Sequence, residues 1–404
     1  MFKNYSNGVV TSRDAWIYQF SGQKLNINIH SSIAFYNAER IRVQELLKNK
    51  LNKDIGDLIN NDSTQISWSR ALKNDLSKDK DLSFDKNSIY ISTYRPFTKT
   101  WMYFNRRLNE MVYQIPQIFP TSDTPNLIIS LPNSGGRKGF STLISNIPFD
   151  FNSMDAGAQC FPLYLYEENS QESTDTDLFS QTDAQTAIGQ YTRKDAISDA
   201  GLKHFQDAYP SETISKEDIF YYVYGLLHSE DYRTRYADNL TKELPRIPCV
   251  KKAEDFWAFS KAGRDLAHWH LNYETVETYK AKLDLSNKSL KQLENKDFYV
   301  TNMTFAKKGK DKIKDTVIYN SSITIREIPL EAYDYIVNGK SALEWVMDRQ
   351  GVSTHKESGI ENDANDWAIE TMGDAKYPLE LFLRVITVSL ETIKIVKALP
   401  KLDI

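Results

Sequence analysis

Cysteine is nearly missing from this sequence: Cys160 and Cys249 are the two in 404 residues. They lie far apart without metal-type spacing, which fits a reducing cytoplasm better than a disulfide framework. No apolar run approaches the roughly 20 residues of a membrane span. The start, Met1-Phe2-Lys3-Asn4-Tyr5, has no apolar signal stretch, so a cytoplasmic protein without a membrane partner is expected. Proline is never doubled, which removes the Pro-Pro-aromatic loop that grips a flipped base in amino-methyltransferases. There is no Gly-x-Ser-x-Gly elbow, and no Pro-Asp dipeptide to open a nuclease carboxylate motif. Net positive charge is lacking too: 50 Lys and Arg against 54 Asp and Glu leave −4. A uniformly basic coat is excluded, so any nucleic-acid contact must be a local patch.

What is present can fold. Apolar residues make up 41% and charged residues 26%, enough for a core and for solubility. Apolar positions from Leu25 to Leu58 recur at helical spacing. Residues 88–131 read as strands interrupted at Pro96, and Cys160 to Tyr166 as another. Ser215 caps a helix whose first turn holds Glu217 and Asp218, and 253–271 forms a second. Phe298 to Phe305 and Thr316 to Ile328 suggest a hairpin, with Ala306 to Asp315 as its connection. Residues 330–399 read as mostly helical. The class expected is α+β, a central antiparallel or mixed β region flanked by helices, with a helical C-terminal portion. Three parts are expected: a helical connector over 1–60, an α+β core over 61–330, and a helical region over 331–404. Within the core, residues 164–192 hold six acids and no Lys or Arg, the composition of a linker or insertion.

Candidate catalytic groups are scarce. The loop Pro132-Asn133-Ser134-Gly135-Gly136-Arg137-Lys138-Gly139 follows a strand but lacks the Gly-Lys-Ser/Thr ending of a phosphate-binding loop. His268 and His270 point to different sides of a helix, so a metal site is not expected. Binding candidates are richer. Residues 86–107 carry five cations, six aromatics and no acid, with Arg95, Lys99, Arg106 and Arg107 as candidate DNA contacts. A hairpin with core-facing aromatics and solvated cations explains that window equally well. Arg137 and Lys138 sit where glycine permits close approach to a groove. Lys307, Lys308 and Lys310, in a run continued by Lys312 and Lys314, are candidate phosphate contacts, or merely a solvated run. Arg233, Arg235 and Arg246, interspersed with acids, suggest structural ion pairs.

Longer strings give a more specific signal. Asn7-Gly8-Val9-Val10-Thr11-Ser12-Arg13-Asp14-Ala15-Trp16, Tyr94-Arg95-Pro96-Phe97 continuing through Asn105-Arg106-Arg107, and Gln159-Cys160-Phe161-Pro162 form one group. Tyr222 through Ser229, Tyr232 through Pro248, Phe256-Trp257-Ala258-Phe259, Tyr319 through Ala342 and Asn362 through Trp367 form another. From about residue 7 to residue 399 the chain resembles the C-terminal specificity (target-recognition) domain of type ISP single-polypeptide restriction–modification enzymes. The resemblance implies recognition of double-stranded DNA that positions an adenine-N6 methyltransferase, with no catalysis in this chain. It also implies a fragment of a longer enzyme or a split gene product, whose other parts would use S-adenosylmethionine, ATP and Mg. The start of the chain would then adjoin the methyltransferase domain. An alternative is an interaction module that docks a separate methyltransferase subunit and binds little DNA alone.

Overall fold

The helical spacing after Leu25 is one long helix, α1 (Gly22–Lys48), with the single turn Ile55–Leu58 beyond it. The computed structural model describes residues 1–48, 54–169, 187–286 and 288–404. α1 buries Leu25, Ile29, Ile33, Tyr36 and Val43, one side of a 3.6-residue period. It meets a three-stranded antiparallel sheet of β1 (Ile89–Arg95), β2 (Thr98–Tyr103) and Tyr18–Gln19. The break expected at Pro96 is the tight turn between β1 and β2.

A four-stranded antiparallel sheet follows, built from β3 (Ile128–Pro132), β4 (Leu143–Ser145), β5 (Ala158–Pro162) and Ser6–Asn7. Gly135 and Gly139, in the loop leaving β3, both adopt positive φ (+86° and +79°), a conformation that a side chain would strain. The ends of the acidic stretch are strands rather than linker. β6 (Tyr164–Glu168) pairs with β7 (Tyr191–Asp195), Glu168 opposite Tyr191. Most of the expected insertion, 170–186, lies outside the described residues.

Helix α2 (Lys216–His228) begins with a reciprocal cap: the Asp218 amide donates to the Ser215 hydroxyl, and the Asp218 carboxylate accepts from the Ser215 amide. It packs on α3 (Ala253–Leu271) at backbone distance. A Cβ on Gly225 would stand 2.1 Å from the Phe259 carbonyl oxygen, and one on Gly263 1.9 Å from that of Tyr221.

The lysine-rich connection is not a loop. β8 (Thr304–Lys308) and β9 (Asp311–Ile318) run antiparallel through it and turn at Gly309–Lys310. Ala306 pairs with Ile313 and both are half-buried, so the ladder outlasts the apolar pattern. β10 (Thr324–Arg326) and Lys282–Asp284 complete that sheet. The tail is helical only in part. A small hairpin of β11 (Ile336–Val337) and β12 (Lys340–Ser341) precedes α4 (Ala342–Arg349), and Val352–Thr354 pairs with Glu361–Asp363 before α5 (Tyr377–Lys397).

Two apolar cores result. The larger gathers residues from Val9 to Cys160 together with Tyr273 to Val388; the other surrounds α2 and α3. No helix among the described residues is long and apolar enough to cross a membrane.

Candidate nucleic-acid interface

The 86–107 window, rich in cations and free of acids, finds its acids elsewhere in the chain. Arg95, at the end of β1, is 12% exposed; its guanidinium contacts Asp150 at 2.5 Å and Asp14 at 3.3 Å, and its carbon centre stands 4.0 Å over the Tyr94 ring. Burial opposes its charge, yet Asp150, Tyr94 and Asp14 raise it above the usual guanidinium range. Lys99, on β2, pairs with Glu274 at 2.6 Å. Arg107 pairs with Asp75 at 3.0 Å and donates to the Asp81 carbonyl. All three are engaged by acids of the same chain. Arg106 alone of the four is exposed, with no ion-pair partner among the described residues.

The glycine-rich loop is differently arranged. The backbone amides of Arg137 and Lys138 both donate to one oxygen of Asp155, the second at 2.9 Å, and the Gly135 amide donates to the Thr241 carbonyl at 2.8 Å. Slight burial works against the Asp155 charge, but these amides hold its carboxyl below the usual range. The backbone is pinned while both side chains are exposed, without ion-pair partners among the described residues. A fixed loop presenting free cations loses little further entropy on binding a ligand.

Lys138 connects this loop to the lysine ribbon. Its side-chain stem lies over Gly339, about 3 Å from where a Cβ there would sit. The next residue, Lys340 on β12, shares a groove of about 570 Å³ with Lys307 and Lys312, floored by Met303, Phe305 and Met347. Lys307 and Lys312 are directly paired across β8 and β9, so like charges share one face, an arrangement a polyanion would relieve. Lys308 and Lys310 are exposed near the tip. The fold thus brings Lys138 and the Lys307–Lys312 pair to one small hairpin. Lys340, absent from the sequence-based candidates, sits between them; it ion-pairs with Asp348, and nothing in its local sequence marks it.

Other expectations sort as follows. His270 is buried and His268 exposed, on different sides of α3. No cluster of three potential metal ligands occurs among the described residues. Arg246 pairs with Glu243 at 3.0 Å, as its neighbourhood of acids suggests. Arg233 instead donates to the Leu227 carbonyl at 2.7 Å and has no ion pair among the described residues.

Comparison with known proteins gives consistent matches. A nuclease-deletion mutant of the type ISP restriction–modification enzyme LlaGI, in complex with a DNA substrate mimic, is 35% identical with a TM-score of 0.81, covering 100% of this chain and 33% of that one. The ATP-dependent type ISP enzyme LlaBIII bound to DNA is 34% identical with a TM-score of 0.82, covering 100% and 23%. A DrdV–DNA complex is 31% identical with a TM-score of 0.77, covering 100% and 36%. The chain therefore spans about a third or less of the first two structures it matches. No curated protein matches. The model for the type ISP C-terminal specificity domain matches residues 1–381, and this chain belongs to that family, whose members supply specificity rather than catalysis.

Proposed function

We propose that this domain recognises a specific sequence in double-stranded DNA and thereby positions an adenine-N6 methyltransferase and its restriction partners on the site. The observation that carries this reading is the pinned loop with Arg137 and Lys138, joined through Gly339 and Lys340 to the Lys307–Lys312 pair of the lysine ribbon. Ribbon lysines neutralise phosphates and set register, and the loop cations reach base edges. S-adenosylmethionine, ATP and Mg belong to domains outside this chain. Solved relatives carrying DNA support the same assignment.

The methyltransferase is the protein partner in this proposal. The outer side of α1 carries Ile27 and Ile41, 64% and 55% exposed, and this favours the second reading in which docking dominates. Selection from a random duplex library at two salt concentrations separates the two. Enrichment of one short site, with affinity falling steeply as salt rises, supports recognition by this domain. Absence of binding at either salt overturns that reading in favour of the docking module.

A further inference from the structure

Beside the glycine loop lies a cavity of about 460 Å³, within the roughly 300–1,000 Å³ range of small-molecule sites. His228, Tyr335 and Asn338 line it and are 2%, 7% and 3% exposed. Each carries a buried polar atom with no hydrogen-bond partner: Nε2, the hydroxyl and Oδ1 respectively. Orphaned polar groups are costly, and three around one cavity ask for a complement.

The character of that complement can be derived. His228 Nδ1 lies 2.9 Å from the Tyr224 carbonyl oxygen, which can only accept, so Nδ1 carries the hydrogen. Burial, reinforced by Arg233 and His270, holds the ring well below its usual range and hence neutral, leaving Nε2 as an acceptor. Asn338 spends an Nδ2 hydrogen on the Ser153 carbonyl, and its Oδ1 is a second unsatisfied acceptor. The Arg233 guanidinium adds donors beside the Phe140 ring, 5.8 Å from its centroid. Lys138, Arg233 and Lys397 are nearly balanced by Glu230 and Asp334, so a bare anion is a poor match. An aminated heterocycle fits better: its amine supplies donors, its ring nitrogens accept from arginine, and its flat face suits an aromatic wall.

We infer that this cavity binds the base of a nucleotide bearing an exocyclic amine, its phosphate directed to Lys138. The base comes either from a free nucleotide or from DNA held by the neighbouring loop; only the second source rests on the recognition reading above.

The test compares the full chain with Tyr335→Phe, which removes one orphan hydroxyl and keeps the ring stacked on His270 (5.2 Å, 8°). Calorimetric titrations use adenosine, cytidine and thymidine monophosphates, and a parallel arm uses matched duplex and duplex with one mismatched pair. Expected for a free nucleotide is tighter binding of the aminated bases than of thymidine monophosphate, with about a three- to tenfold loss in the variant. Expected for a DNA base is tighter binding of the mismatched duplex, a difference lost in the variant. If no mononucleotide binds and both proteins treat both duplexes alike, the cavity holds water only and the inference falls, while recognition of matched duplex stands. If mononucleotides bind but no duplex does, the cavity assignment stands and the recognition reading falls.

Discussion

His270 and Thr392 are joined by a 2.9 Å hydrogen bond that ties the last turn of α3 to α5. The Thr392 hydroxyl gives its own hydrogen to the Val388 carbonyl at 2.7 Å, so it accepts from His270 Nε2–H. Nδ1 is then left to accept from the Tyr224 hydroxyl at 2.6 Å. A second ring proton has no place, and burial holds His270 down to about 3. In the unfolded chain His228 and His270 take up protons near pH 6.5; in the fold they do not until far lower. The unfolded state gains more protons as pH falls, so this stability is whole above about pH 7 and drains as pH falls toward 3. Denaturant melts from pH 7.5 to 4.5 are expected to lose up to about 2.7 kcal/mol per pH unit from the two rings together. His270→Gln is expected to remove about half of that slope; an unchanged slope refutes the assignment.

The α2–α3 crossing has no room for a methyl group. Gly225→Ala or Gly263→Ala is expected to destabilise by about 3 kcal/mol or more, at the upper end of overpacking costs, because backbone rather than a side chain must give way. Thermal melts of each single variant check this. A loss under about 1 kcal/mol would mean that the helices slide apart easily.

Arg95→Ala is expected to act on stability, not on DNA. Burial pushes the Asp150 carboxyl up to about 7 even with Arg95 beside it, so removing the guanidinium strands a buried acid. The expected loss is about 3–5 kcal/mol, partly restored by adding Asp150→Asn. DNA affinity of the folded protein should stay within about twofold; a selective collapse of affinity would return Arg95 to the interface.

The ribbon and the loop should differ in kind. Replacing Lys307, Lys308 and Lys310 by Ala is expected to weaken binding alike for all sequences and to flatten the salt slope by about 0.9 for each phosphate left without its lysine. Arg137→Ala is expected to relax preference at one base pair by about 1–3 kcal/mol, read by repeating the duplex selection. Equal loss of preference from both sets would mean that the division of labour is wrong.

Much of the fold is legible in the chain. Ser215 with Asp218, the 253–271 helix, the glycine loop and the hairpin that carries the lysines all rest on local patterns that local physics obeys. The ribbon reads as a connection because lysine hides strand character, while backbone pairing carries on beneath it. The partners of Arg95, Lys99 and Arg107 are hidden for a different reason: the window around them holds no acid. The acids that answer Arg95 and Lys99 stand 55 and 175 residues away, where no window reaches. The position of Lys340 between two distant patches is equally invisible before folding.

The ribbon tip has its own consequence. Val317 and Ile325, at the base of the β8–β10 sheet, are fully buried, whereas Lys307, Lys308 and Lys310 near the turn are exposed. Substitutions at the tip thus leave the core untouched, and the same holds for the side chains of Arg137 and Lys138 on their pinned backbone. Under the proposed division of labour, a lineage can rewrite these positions without first acquiring spare stability, so affinity at the ribbon and preference at the loop can each change by single steps. Arg95 enjoys no such freedom, since any replacement must answer to Asp150.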